Sequence, residues 1–420
     1  MKRSTLLVLL SLLLALFLVA CGGGGTTTEP AAQPTTGATA PEAPAAATCT
    51  DAIGCVEIAA GDPILLASSL VISGPNTELG LDSQYGVEIA IALRGEIMGH
   101  SITLQPEDDG CSAEGGQTSA QKIVSNPQIV AMIGTSCSGA GVPAAKIISD
   151  AGYAMVSPSN TSPSLTDPAQ HQPGYLRTAH NDEVQGAAMA EFAYNELGIR
   201  KAAAIHDGDP YTEGLASVFS DAFKALGGEM VAFEAEAADA TNVEPLLTSV
   251  ATAGPEFIYL PVFIPLGSLI VNTASDIDSL SGVILAGADG IQSPSFLANT
   301  SGTSEEMYAS GPDLSFSNAF YTDTFLPLYR EKAGGDPTAP FHAHAFDATN
   351  MVLDAIEKVA QQGADGSLLI GRQALRDALF ATSGLEGITG TITCNANGDC
   401  ADPKISVSQV QSGEFARIWP

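Results

Sequence analysis

Residues 107–163 read EDDGCSAEGGQTSAQKIVSNPQIVAMIGTSCSGAGVPAAKIISDAGYAMVSPSNTSP, and this stretch decides the fold. Within it the apolar run 129–133 stops at Gly134 and opens into Thr135, Ser136, Cys137, Ser138 and Gly139 before a helical pattern begins. A second apolar run, 154–156, opens into Ser157, Pro158, Ser159, Asn160 and Thr161. In an open α/β sheet, loops of this kind stand at the carboxyl ends of strands, where free N–H groups and hydroxyls receive a small polar or anionic ligand. The stretch therefore reads as half of a ligand pocket.

Working outward, strand-like runs alternate with helical patterns from residue 64 onward, the signature of βα units and a mostly parallel sheet. Strands are expected at 64–72, 102–104, 129–133 and 154–156, with helices between them, which makes one complete lobe. Around residues 177–180 the pattern restarts. A helix at 184–197, strands at 201–205, 257–260 and 283–286, and the intervening helices form a second α/β lobe. Helical segments then follow at 318–332 and 343–360, and residues 387–405 read as a β-ribbon that turns at Asn397-Gly398. Two similar lobes, followed by helices able to return to the first, suggest a hinged pair with a cleft between them.

At the N-terminus, Lys2-Arg3 precede an apolar stretch at 4–19 that is too short for a stable transmembrane helix and reads as an export signal. Residues 22–48 hold no large apolar side chain and cannot bury a core, so the expectation is a tether. The expected order is a leader at 1–20, lipidated cysteine and tether at 21–60, first lobe at 61–180, second lobe at 181–311, a return to the first lobe at 312–386, and a ribbon on the second lobe at 387–420.

The 420 residues are 45% hydrophobic, enough for two cores, and carry a formal net charge of −31. That charge argues against nucleic acid as a partner. Beyond Cys21, the even set Cys49, Cys55, Cys111, Cys137, Cys394 and Cys400 argues for disulfides in an exported protein. Closeness along the chain favours Cys49 with Cys55, Cys111 with Cys137, and Cys394 with Cys400, although other pairings stay open. No zinc spacing, P-loop or dinucleotide fingerprint occurs, and residues 134–138 lack the closing glycine of a nucleophile elbow. His342 and His344 lack a third clustered ligand, so neither metal nor cofactor is expected, and no enzyme.

Several ordered motifs, SGP at 73–75, DDGC at 108–111, IGTSCSG at 133–139, SPSNTSP at 157–163, RTAHND at 177–182, IHDGDPYTEG at 205–214 and GADG at 287–290, resemble a known family. It is the type I periplasmic substrate-binding proteins of the leucine/isoleucine/valine-binding kind, from ABC importers. The resemblance implies two doubly wound lobes joined by three crossovers, here near His180, Gly311 and Gly387. It implies that Ser138, Asn160 and Thr161 hold a ligand carboxylate, that Asp289 faces an ammonium, and that Tyr211 and Phe263 reach the cleft. It also implies a Cys111–Cys137 disulfide.

The chain departs from the family where Asn76, Thr77, Glu78 or Leu79 replaces a capping aromatic residue, and where Asp289 replaces a longer glutamate. Leu18-Val19-Ala20-Cys21 resembles a bacterial lipobox, which implies acylation of Cys21 and a membrane anchor. The implied function is extracytoplasmic capture of an amino-acid-like solute for an ABC permease. The alternatives are a ligand-sensing receptor domain for a signalling partner, or a binder of an amide or another small organic solute.

Overall fold

The computed structural model describes Gly25 and residues 48–420. The leader, Cys21 and most of the expected tether lie outside the described residues. The first sheet has six strands in the order Glu96–Ile97, His100–Asp108, Ile64–Leu70, Ile129–Gly134, Ala154–Ser157 and Tyr175–Arg177, parallel except for the edge hairpin. The second has seven, in the order Glu414–Trp419, Ile405–Gln411, Tyr308–Pro312, Ile284–Gly287, Phe257–Leu260, Lys201–His206 and Glu229–Ala235. Its five strands from Tyr308–Pro312 to Glu229–Ala235 run parallel, and the last two of the chain close it as an antiparallel pair.

Strands covered on both faces must be apolar throughout, and Ile129–Gly134 and Phe257–Leu260 are buried along their whole length. In each sheet the order reverses once. In the first lobe the reversal lies between Ile64–Leu70 and Ile129–Gly134, and in the second between Lys201–His206 and Phe257–Leu260. In open α/β sheets a ligand crevice forms at the carboxyl ends of such neighbouring strands.

The helix His342–Val359 packs on Thr77–Arg94 of the first lobe. Asp82 fastens it, accepting hydrogen bonds from the N–H groups of Phe341 (3.1 Å) and His342 (2.7 Å) and from the hydroxyl of Tyr329 (2.7 Å). A carboxylate on free N–H groups at a helix start satisfies donors that have no intrahelical acceptor.

Two expected boundaries move. The tether was expected to run to residue 60, but Cys55–Ile58 pairs antiparallel with Leu368–Gly371, burying Val56 and Ile58 and leaving Glu57 exposed. This period of two is a strand signal. Asp51 also accepts from the N–H groups of Gln373 and Ala374 (3.0 Å each), fixing this segment to the first lobe.

The ribbon expected on the second lobe from residue 387 stays on the first until about residue 400. Asp347 accepts from Ile388 and Thr389 N–H (2.9 Å each), Ile392 and Cys400 sit in the first core, and Arg177 exchanges backbone bonds with Gly398 (2.9 Å) and Cys400 (3.1 Å). The third crossover therefore runs at 401–404. Those residues line one small cavity together with Thr178, His180, Pro312 and Asp313, so the three crossing chains lie side by side.

The three disulfides join Cys49 to Cys55, Cys111 to Cys137, and Cys394 to Cys400.

Candidate functional site

The first-lobe half is two loops knitted together. The Thr135 carbonyl accepts from Ser157 Oγ (2.8 Å) and Asn160 Nδ2 (3.0 Å), while the Ser136 carbonyl accepts from Asn160 Nδ2 (3.0 Å) and Ser159 Oγ (2.8 Å). Asn160 Oδ1 accepts from Thr135 Oγ1 (3.0 Å), and its backbone N–H donates to Ser157 Oγ (2.9 Å). Both amide hydrogens and the main-chain hydrogen of Asn160 are thus used inside the lobe. Asn160, expected to touch a carboxylate, instead positions the loops.

Arg177 supports the same loop, donating to the carbonyls of Asn160 (3.1 Å) and Ser162 (2.8 Å) with its charge paired to Asp399 (2.6 Å). Behind the first loop, Asp109 Oδ2 accepts from Ser136 N–H (2.6 Å), and burial lifts its pKa to about 7. Two hydroxyls remain available. Ser138 Oγ accepts from Ser162 N–H (3.2 Å), which leaves its own proton to donate, and Thr161 Oγ1 is buried with no partner among the described residues.

The second-lobe half centres on Asp289, which follows the strand Ile284–Gly287. Its Oδ1 accepts from Gln185 Nε2 (2.8 Å) and Tyr211 Oη (3.1 Å), and Tyr211 Oη in turn accepts from Gly290 N–H (3.2 Å). Gln185 also contacts His180, with its acceptor oxygen on His180 Nε2. The Phe263 ring lies against Tyr211 with centroids 5.2 Å apart, and it borders a 290 Å³ cavity shared with Asn76 of the first lobe. Tyr211, Phe263 and Asp289 therefore form one group.

Between the halves stands a residue that the sequence reading passed over. Asp182 opens the helix Asp182–Glu191 directly after the first crossover, and its N–H donates to the carbonyl of Thr161 (3.0 Å). The side chain is fully buried, and neither carboxylate oxygen makes a well-formed hydrogen bond among the described residues, the Thr161 hydroxyl alone lying near enough to act on it as a donor. Burial, and next the charge of Asp289, push the Asp182 pKa well above the usual carboxylate range. Burial raises Asp289 to about 6 despite its bonds to Gln185 and Tyr211.

A buried carboxylate left without donors is costly unless a cation completes it. Asp182, together with the already hydrogen-bonded Asp289 and the two hydroxyl donors, forms a cradle suited to a solute with a positive nitrogen at one end and an anionic oxygen at the other. The quoted motif RTAHND ended on Asp182, and an acid opening a helix beside a strand end was the available signal.

Two doubly wound lobes, with polar loops facing each other at their reversal points, define a two-lobed solute-binding protein. The chain belongs to the periplasmic binding protein family, whose profile matches residues 63–414. Among curated relatives, a Leu/Ile/Val-binding protein homolog 3 from Brucella melitensis biotype 1 is 26% identical over 354 residues, covering 83% of this chain and 91% of its own length.

Among solved structures, a leucine-binding protein from Thermotoga maritima MSB8 superposes with a TM-score of 0.76 at 24% identity, covering 84% of this chain and 97% of that one. A branched-chain amino acid transporter substrate-binding protein from Streptococcus pneumoniae, crystallised with isoleucine, gives 0.73 at 22% identity, covering 85% and 100%. Both show the same fold.

Proposed function

We propose that this protein is the extracytoplasmic solute-capturing component of an ABC importer, closing its lobes over a small amino acid of the branched-chain or a related kind. In this reading Ser138 and Thr161 donate to the ligand carboxylate. Asp182 and Asp289 take the ammonium, and Tyr211 and Phe263 cover the aliphatic part. The observation that carries it is the buried carboxylate of Asp182 beside Asp289: it has no well-formed hydrogen bond, only the nearby Thr161 hydroxyl, and a ligand ammonium would complete it. The family, and relatives whose names record leucine, isoleucine and valine, support the same class of ligand.

Binding energy would come from contacts that exist only when the lobes meet, because a ligand shifts an equilibrium only by its differential affinity for the two states. Acylation of Cys21 would hold the domain at the membrane face on its tether, within reach of a permease. Calorimetry of the soluble domain against the L-amino acids, backed by native mass spectrometry of what co-purifies, tests the reading. Tight binding of at least one L-amino acid is expected, with loss on esterifying the carboxylate or acylating the amine. Binding of an amide or a carboxylate-free amine, with no response to any amino acid, would overturn it.

A further inference from the structure

Where the two lobes touch beside the cleft, each contributes a glycine to the contact. Gly139 lies in the first turn of the helix Ser138–Asp150 of the first lobe and is buried; its φ is not positive, so nothing in the backbone demands glycine there. A methyl group at Gly139 would overlap Oδ2 of Asp209, which belongs to the second lobe. Asp209 is not free to swing aside. Its Oδ1 caps the helix Pro210–Ala225 by accepting from Tyr211 N–H (2.8 Å).

One turn further along the same helix, a methyl on Gly214 would meet Pro163 Cδ at 3.3 Å and Ser162 Oγ at 3.6 Å, both on the first lobe. The absence of side chains at these two glycines is therefore used between lobes and not within either. Asp209 itself reaches the family's carboxylate-holding helix without being the ligand.

We propose that Gly139 and Asp209 form the seat on which the lobes close, and that the missing side chain at Gly139 sets how far closure goes. The pair are positioning residues. They act on capture by admitting the closed state in which Ser138 and Thr161 meet the second-lobe carboxylate, and the inference rests on the ligand-closure reading above.

The consequence is selective. Alanine is a better helix former than glycine, so Gly139→Ala leaves each lobe intact or slightly stabilised. In the closed state, by contrast, the added methyl must displace a pinned carboxylate, and overpacking of that kind weakens closure by roughly tenfold. Replacing Asp209 by serine keeps a competent helix cap while removing the oxygen that collides.

The experiment compares wild type, Gly139→Ala, Asp209→Ser and the double variant in the full soluble domain. L-leucine is titrated by calorimetry. Separately, spin labels on non-natural residues at Glu114 and Asp221, exposed helix positions on opposite lobes, report the interlobe distance with and without L-leucine.

Gly139→Ala is expected to bind about tenfold more weakly, to lose short-distance population by the same factor, and to melt no lower than wild type. The double variant is expected to return to within about threefold of wild type. Unchanged affinity in Gly139→Ala, or a loss that persists in the double variant, overturns the proposal, since the methyl would then act without meeting Asp209. If wild type fails to bind L-leucine, the ligand reading is what suffers. The seat is then judged on ligand-free distances, where a short-distance population lost in Gly139→Ala and restored in the double variant supports it. Equal distributions, or no short-distance population in wild type, overturn it.

Discussion

Replacing Asp182 by asparagine preserves the shape of the side chain and removes one charge from the centre of the cleft. With the ligand present, an ammonium roughly 4 to 5 Å from the carboxylate, at an effective dielectric of about 20, is worth about 3 to 4 kcal/mol. Part of that is offset, because burial and the Asp289 charge raise the Asp182 pKa and so favour its protonated form in the empty cleft. A net loss of about 2 kcal/mol, or roughly thirtyfold in affinity, is the expected result at pH 7.5.

In the ligand-free protein the sign reverses. Asparagine is neutral without taking up the proton that burial and the Asp289 charge favour on Asp182, so the thermal midpoint should rise. Calorimetric titration with the tightest-binding L-amino acid and a melting curve without ligand measure the two halves independently. Opposite signs separate a site residue from one whose loss merely damages the fold. An affinity within threefold of wild type, or a lower midpoint with no ligand, would refute the assignment.

The remaining expectations follow from the same geometry. Asp289→Ala should weaken binding by at least tenfold while also loosening Tyr211, whose hydroxyl loses its acceptor; Tyr211→Phe checks that share and should cost less. Ligand affinity should fall as pH drops through about 6, where Asp289 takes a proton and can no longer pair with an ammonium, and a flat profile between pH 7 and 5 counts against the pairing. Ligand-free stability should run the other way. Burial raises Asp109 to about 7 and Asp347 to about 6, so the folded state holds protons that the unfolded chain releases. That contribution is full below the ordinary carboxylate pKa and lost as pH rises through 6 to 7, so melting points should decline from pH 5 to pH 8.

Glu78 bridges the lobes on the opposite rim, accepting from Ser295 Oγ (2.8 Å) and N–H (3.3 Å); Glu78→Ala should weaken ligand binding about fivefold, as read by titration, for roughly 1 kcal/mol of closed-state bonding. Removing Cys111 and Cys137 together should lower stability by about 3.5 kcal/mol in a denaturant titration, the loop-closure entropy of that span.

What could be read from the chain follows from what is local. Residues 129–133 and 257–260 announce buried parallel strands because a strand covered on both faces must be apolar at every position. The polar residues that follow each strand then fall at the crevice by topology, whereas the choice of Ser138, Thr161, Tyr211, Phe263 and Asp289 among them came from the family resemblance. Asn160 shows where this reasoning stops. Its residue type suits ligand contact and loop support equally, and only its bonds to Thr135 and Ser136, about 25 positions earlier, decide for support. Residues 387–403 failed for a related reason. A turn at Asn397-Gly398 looks the same on either lobe, and the backbone bonds to Arg177 that place it span more than 200 residues.

Asp182 was hidden by a different ambiguity. An acid in the first turn of a helix normally faces solvent and complements the helix dipole, and no local signal separates that case from a buried one. Its burial comes from the meeting of three pieces of chain: the first crossover, the Thr161 loop, and the Asp289 loop of the other lobe. That position has a mechanical consequence. Ser138 and Thr161 ride on the first lobe and Asp289 on the second, while Asp182 stands at the crossover that joins them, so it moves least when the lobes part. In the proposed reading, a ligand ammonium would engage Asp182 first and gain Asp289 only on closing, so the second carboxylate would supply the difference in affinity that drives the lobes together.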